Sequence, residues 1–265
     1  MTQLGRSTKA HTVRLPANPE SSVVLGWGAV TDTGSRRAHN EDSLLAQPPL
    51  FAVADGMGGH AAGDVASAAV VTRLSEVLSG SFLENGVIDQ ALRAATADIA
   101  LALDEQDLGV GTTVTGVALT VQGTGVYWTV FNVGDSRVYL FENGELSRLT
   151  VDHSVVQELV DSGVISPEDA ESHPRSNVIT RAVGFNLEPV PDYWMLPVRP
   201  EVRLLLCSDG LTKELKEQEI RRHLAAGQDA ERTADALVAA ALAAGGRDNV
   251  TVIVVDVLQV SGFFA

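Results

Sequence analysis

Thr113-Val-Thr-Gly-Val-Ala-Leu-Thr-Val121, Val126-Tyr-Trp-Thr-Val-Phe-Asn-Val133 and Arg137-Val-Tyr-Leu-Phe141 follow one another in one stretch of the chain. β-Branched and aromatic residues dominate all three, so each is predicted to be a strand. Gly123, Gly125 and Gly134 punctuate them. Asn143-Gly144, between Phe141 and Leu146, suits a two-residue hairpin, whose turn positions need positive φ. Apolar residues occupy both parities of 126–133, so that strand is expected to be covered on both faces.

Outward from this block the pattern changes to helix. Upstream, Val70, Leu74, Val77 and Leu78 keep helical spacing before Gly80. Ile88, Ala91, Leu92, Ala95, Ile99, Ala102 and Leu103 form a second stripe. Downstream, a strand over 202–207 precedes a helix over 230–244, with Asp229 as N-cap and Gly245-Gly246 as its stop. A last strand is predicted over 250–257, and an early one from Ser22. Helices come in pairs between blocks of hairpin strands, not in βα alternation, which favours an antiparallel α+β sheet with helices outside. Residues 1–21 lack apolar periodicity and are expected to be a flexible tail before one domain over 22–260. Over 152–181 the pattern weakens among Gly163, Pro167 and Pro174, as a mobile insertion would.

The 265 residues are 45% hydrophobic and 20% charged, within the globular range. A net charge of −15 opposes a nucleic-acid or anionic-membrane partner, either of which calls for a basic footprint. The single cysteine, Cys207, excludes an intramolecular disulfide. No apolar run is long enough to span a bilayer and the first twenty or so residues lack a signal-peptide core, so a cytoplasmic protein is expected.

The acids fall at strand ends. Asp55 follows Phe51-Ala-Val-Ala54, Asp135 follows Val133-Gly134, and Asp209 follows Leu204-Leu-Leu-Cys-Ser208. Asp248 precedes Val250-Thr-Val-Ile-Val-Val255, and Glu41-Asp42 precede Ser43-Leu-Leu-Ala46. Asp-Gly is also ordinary turn chemistry, but five recurrences at strand ends exceed what turns require. Gathered at one sheet edge, such carboxylates need cations between them. With no Cys/His set of zinc spacing, oxygen ligation points to Mg²⁺ or Mn²⁺.

Arg37-Ala-His-Asn40-Glu41-Asp42-Ser43, Val53-Ala-Asp55-Gly-Met-Gly-Gly-His60, Asn132-Val-Gly-Asp135-Ser-Arg-Val-Tyr139, Cys207-Ser-Asp209-Gly-Leu-Thr212 and Gly246-Arg-Asp248-Asn-Val-Thr251 resemble, in order, the motifs of the protein phosphatase 2C (PPM) family, in its bacterial single-domain branch. The resemblance covers about 22–257. It implies an α-β-β-α sandwich of two antiparallel sheets flanked by helices, with a binuclear metal cleft at one end. It implies that Asp55 bridges two Mn²⁺ or Mg²⁺ ions, that the Gly56 carbonyl and Glu41 complete one side, and that Asp209 and Asp248 hold the other. Asp135 matches a position that helps bind a weaker third ion. The implied reaction is hydrolysis of phosphoserine and phosphothreonine in proteins by a metal-bridging hydroxide, with Arg37 on the phosphate and His60 as general acid. The implied partners are phosphoproteins and a Ser/Thr protein kinase, in bacterial signalling; a monomer is expected, and 152–181 matches the family's variable flap. Asn249 either orients Asp248 or serves the turn, and His39, His153 and His173 are expected to be structural or surface residues.

Rival chemistries fail on spacing. A cysteine phosphatase needs C-x5-R, but the sixth residue after Cys207 is Lys213. There is no G-x-x-x-x-G-K-[ST] string, and Gly56, Gly58 and Gly59 do not match G-x-G-x-x-G. A non-catalytic relative would normally have lost a metal carboxylate, and none is missing here. The negative charge opposes a nucleic-acid phosphodiesterase.

Overall fold

A computed structural model describes residues 1–15, 18–58, 62–84, 86–102, 109–170, 173–185 and 188–262. In chain order its elements are β1 (Gln3–Gly5), β2 (Thr8–Leu15), β3 (Asn18–Asp32), β4 (Asp42–Gln47), β5 (Leu50–Met57), α1 (Ala62–Glu76), α2 (Val87–Ala102), β6 (Gly111–Thr112), β7 (Val114–Gln122), β8 (Gly125–Val133), β9 (Arg137–Glu142) and β10 (Glu145–Arg148). They continue with α3 (Val155–Asp161), α4 (Pro167–Ala170), β11 (Asp192–Pro197), β12 (Arg203–Cys207), α5 (Asp209–Thr212), α6 (Glu217–Leu224), α7 (Ala230–Ala244) and β13 (Val250–Ser261).

Two sheets result. One runs β1-β4-β5-β7-β8-β11, with β6 beside β5; the other runs β10-β9-β12-β13-β3-β2. Every named pairing is antiparallel except β1 with β4, which is parallel. Asn143 and Gly144 take φ of 53° and 81°, the positive-φ pair needed to join β9 and β10.

Period-two alternation explains the continuous apolar runs. On β12, Leu204 and Leu206 enter the core between the sheets, while Leu205 and Cys207 face the helices. On β13, Ile253 and Val255 face inward and Val252 and Val254 outward. Outside the first sheet, α1 and α2 bury Val70, Leu74, Leu92 and Ile99 against Leu45, Leu50 and Phe131. Outside the second, α6 and α7 bury Ile220, Leu237 and Ala241. Each fully buried Leu or Val contributes roughly 1.5–3 kcal/mol relative to exposure. Across the sandwich Trp27 meets Phe51 edge-on at 5.5 Å, and on the inner face of the first sheet Phe51 meets Trp128 at 6.4 Å.

The expected tail over 1–21 is corrected. Gln3 to Gly5 pair with Leu44 to Ala46, and β2 lies along β3. The Thr2 N–H donates to Ser43 Oγ at 2.9 Å, and the Trp27 indole donates to the Arg6 carbonyl at 2.8 Å. These edge strands are held by backbone pairing, with Val13 as the buried side chain of β2, so a search for apolar periodicity passes over them.

Candidate active site

Register brings the acids together. Asp42 and Asp55 are direct partners across β4 and β5. On the second sheet Cys207, at the end of β12, pairs with Arg137 of β9 and Val252 of β13. Asp209, Asp135 and Asp248 therefore leave three adjacent strands at one edge. Hydrogen bonds join the two edges: Asp42 Oδ2 accepts from Ser208 Oγ at 2.8 Å and from Thr251 Oγ1 at 2.5 Å.

The cluster is electrostatically loaded. Asp42 is 0% exposed; burial pushes its pKa up to about 7, the two hydroxyls oppose that, and Asp209 and Asp248 add to it. Burial lifts Asp55 well above the carboxylate range, and Asp42, Asp209, Asp135 and Asp248 lift it further. Asp135 rises to about 7 through burial and then through Asp209 and Asp152. Asp209 is also raised by burial, against the pull of Lys213. Like charges directly opposite in a sheet are destabilising, so this arrangement calls for compensating cations.

Two cations of the chain already answer it. Lys213 Nζ contacts Asp209 Oδ2 and lies 3.7 Å from Asp248 Oδ2. Arg37 closes its fork on Asp248, with Nε 2.8 Å from Oδ1 and Nη2 3.0 Å from Oδ2. With the carboxylates turned to these partners, no three Asp, Glu, His or Cys side chains among the described residues close around one point. Asp42 Oδ1 and Asp209 Oδ1 are nevertheless buried without a hydrogen-bond partner. An all-oxygen donor set with unsatisfied buried oxygens fits a hard divalent cation.

The loop before β4 is built to hold its shape. The Asn249 carboxamide accepts from the Glu41 N–H at 2.9 Å and donates to the carbonyls of Thr33 and His39 at 2.8 and 3.0 Å. Asn249 thus fixes the loop carrying Arg37 and Glu41, and its backbone N–H, not its amide, bonds Asp248, at 2.9 Å. Glu41 stands over Gly63, where an added Cβ would lie 2.9 Å from Glu41 Oε1; burial raises its pKa. Gly56 admits no side chain, since a Cβ would sit 2.0 Å from the Gly63 carbonyl oxygen. His60 lies outside the described residues. Cys207 is fully buried, with its thiol pushed up to about 12 by burial, as a core residue.

Sequence patterns do not reveal Lys213 or the hydroxyls of Ser208 and Thr251 as members of this cluster, because their roles depend on register between distant strands. Asp42 gives one signal: it opens an apolar run, Ser43-Leu-Leu-Ala46, that is buried throughout as β4.

A cleft of about 990 Å³ opens beside the acids. Asp135, Asp209, Asp248, Lys213 and Arg247 line it, together with Val156, Gln157, Val160, Pro167, Ala170 and Asn177 from 152–181.

The family model "Protein phosphatase 2C" matches residues 34–244. The serine/threonine protein phosphatase PstP of Mycobacterium tuberculosis is 43% identical over 245 residues, covering 90% of this chain and 46% of PstP, so the chain spans about half the length of that relative. The serine/threonine phosphatase stp of Listeria monocytogenes is 40% identical over 240 residues, covering 85% of this chain and 93% of stp. A crystal structure of the M. tuberculosis phosphatase superposes with a TM-score of 0.81 at 40% identity, covering 89% of this chain and all of that one. The PstP catalytic domain in complex with two manganese ions gives a TM-score of 0.78 at 38% identity over 89% of this chain. Those solved structures share the two-sheet, helix-flanked α+β architecture built above, and the chain belongs to the protein phosphatase 2C family.

Proposed function

We propose that this chain hydrolyses phosphoserine and phosphothreonine in proteins with the aid of bound divalent cations. The observation that carries this is the nearness of Asp55, Asp135, Asp209 and Asp248 to one another, the last three lining an open cleft, with Asp209 Oδ1 buried and unpartnered. Asp55, the Gly56 carbonyl and Glu41 would hold one Mn²⁺ or Mg²⁺ ion, Asp55 with Asp209 and Asp248 a second, and Asp135 with Asp209 a third, weaker one. When bound, such ions lower the pKa of water and offset phosphate charge. Asp42 takes a different part: it steadies Ser208 and Thr251 beneath the ligands.

Arg37 is half-exposed, and its planar fork, now on a carboxylate, matches two phosphate oxygens equally well. His60 is assigned the proton to the departing serine or threonine oxygen on the strength of its motif alone. The segment 152–181 is the flap of this domain, and its mixed polar and apolar lining of the cleft, with Gln157 and Asn177 beside Val156 and Val160, supports a role in choosing peptide sequence. The same proposal places the chain in the cytoplasm as a monomer opposing a Ser/Thr kinase. No helix among the described residues is long and apolar enough to cross a membrane.

The test is phosphate release from a phosphothreonine peptide with Mn²⁺. Asp55→Asn and Asp209→Asn are expected to abolish it with circular dichroism unchanged. Undiminished turnover in either folded variant would refute the site.

A further inference from the structure

His153 is buried, with 6% of its surface exposed, and both ring nitrogens are engaged. Nδ1 accepts from the Gly134 N–H at 3.1 Å. Nε2 lies 3.1 Å from Asp192 Oδ2 and 3.3 Å from Arg181 Nη1, which also donates to Asp192 Oδ1 at 2.9 Å. A donor facing Nδ1 requires that nitrogen to be bare, so the hydrogen sits on Nε2 and is donated to Asp192.

Gly134 precedes Asp135, in a backbone conformation and a closeness to Thr113 that leave no room for a side chain. Its φ is 108°, and a Cβ there would lie 2.6 Å from Thr113 Cβ. The Gly134 carbonyl accepts from the His153 N–H at 2.9 Å and from Asn132 Nδ2 at 3.0 Å. The turn is thus gripped by Thr113 on one side and by the ring and backbone of His153 on the other. His153 is in turn fixed to the base of the flap. Its carbonyl accepts from the Thr180 N–H at 2.8 Å, and its neighbour Asp152 is held by Arg137 Nη2 at 2.6 Å.

We infer that His153 is a positioning residue for Asp135, an imidazole strut that ties the 134–136 turn to the base of segment 152–181 and to the Arg181–Asp192 pair. The inference rests on the assignment of Asp135 as a cation ligand, and it gives that ligand an outer support of the kind that orients metal-binding carboxylates.

The test uses the full chain with Mn²⁺ and two substitutions. His153→Asn keeps an amide oxygen where Nδ1 stands and so retains an acceptor for Gly134. His153→Gln reaches the Nε2 position and keeps only the Asp192 side. In His153→Gln the Mn²⁺ concentration for half-maximal phosphopeptide turnover should rise about tenfold or more, whereas His153→Asn should stay near wild type. Hydrogen exchange gives a readout independent of turnover: the Gly134 amide should lose protection in His153→Gln and keep it in His153→Asn. Equal effects of the two substitutions on Mn²⁺ dependence would overturn the inference. So would a wild-type ¹⁵N spectrum showing the proton on Nδ1, a measurement that needs no variant to fold. Asp135→Asn separates the premise from the inference. If it leaves Mn²⁺ dependence unchanged, the ligand assignment fails and the inference with it. If it shifts that dependence while His153→Gln does not, the strut alone is refuted.

Discussion

Replacing Lys213 with methionine removes an ammonium from the carboxylate cluster while keeping most of the side-chain length. Nζ touches Asp209 and stands 3.7 Å from Asp248. A unit pair at that separation is worth roughly 1–4 kcal/mol before desolvation, for effective dielectrics between bulk water and a protein surface. The lysine side chain is 36% exposed, so screening reduces the net contribution to about 1 kcal/mol. Metal-free Lys213→Met should therefore melt about 2–4 °C below wild type. Its effect on Mn²⁺ should have the opposite sign. A dication entering beside Asp209 and Asp248 has to displace the ammonium or endure its repulsion, and relief of order 1–2 kcal/mol corresponds to about 5–30-fold tighter binding. Calorimetric titration of Mn²⁺ into both proteins, with melts in chelator, measures the two quantities separately. Lys213→Arg, which keeps the charge, should resemble wild type in both. If Lys213→Met binds Mn²⁺ no more tightly than wild type, the picture of a resident counter-ion fails.

Asp55→Asn should abolish turnover yet raise the melting temperature of the metal-free chain, because it removes one of several mutually repelling buried carboxylates; a fall in chelator would contradict this. Arg203 is 12% exposed, forks onto Asp256 at 2.6 and 2.9 Å, and also donates to the Leu224 and Gln228 carbonyls, pinning the link between α6 and α7. Arg203→Ala should cost about 3–5 kcal/mol, seen as a loss of order ten degrees in melting temperature. Arg73 donates a fork to Asp98 on the surface and holds its carboxyl below the ordinary range. A depressed acid stabilises the fold above its unfolded pKa, and that stabilisation is lost as pH falls through the folded value. The melting difference between wild type and Arg73→Met should therefore be present at neutral pH and disappear in acid below the carboxylate range. A difference that grows in acid would contradict the pairing.

Local chemistry was legible wherever it alone decided the outcome. Asp229 caps α7, accepting from the Arg232 N–H at 2.9 Å, and Gly245 ends it at a φ of 157°. The Asn143-Gly144 turn and the strand over 250–257 also follow from composition, whereas the expected double coverage of 126–133 holds only at its end, where Phe131 and Val133 meet the helices and Tyr127 and Thr129 stay half-buried. Helix α6 did not stand out, because only Ile220 and Leu224 of its eight residues are buried. Strand β11 escaped for a related reason: it borders the first sheet and leaves Tyr193 and Met195 exposed. At the site, the positions of Asp55, Asp209 and Asp248 at strand ends could be read directly. Their relation to Asp42 and Lys213 could not, since it depends on which strands become neighbours. The closure of Arg37 onto Asp248 is likewise a tertiary fact, set by the Asn249 carboxamide reaching back to the loop before β4.

The hydroxyls that hold Asp42 come from residues 166 and 209 positions further along the polypeptide. A chain still emerging from the ribosome therefore contains its early aspartates long before Thr251 can reach them. Until that residue leaves the exit tunnel, the pocket lacks its floor. Completion of the pocket floor therefore waits on β13, however early the β4–β5 pair can form.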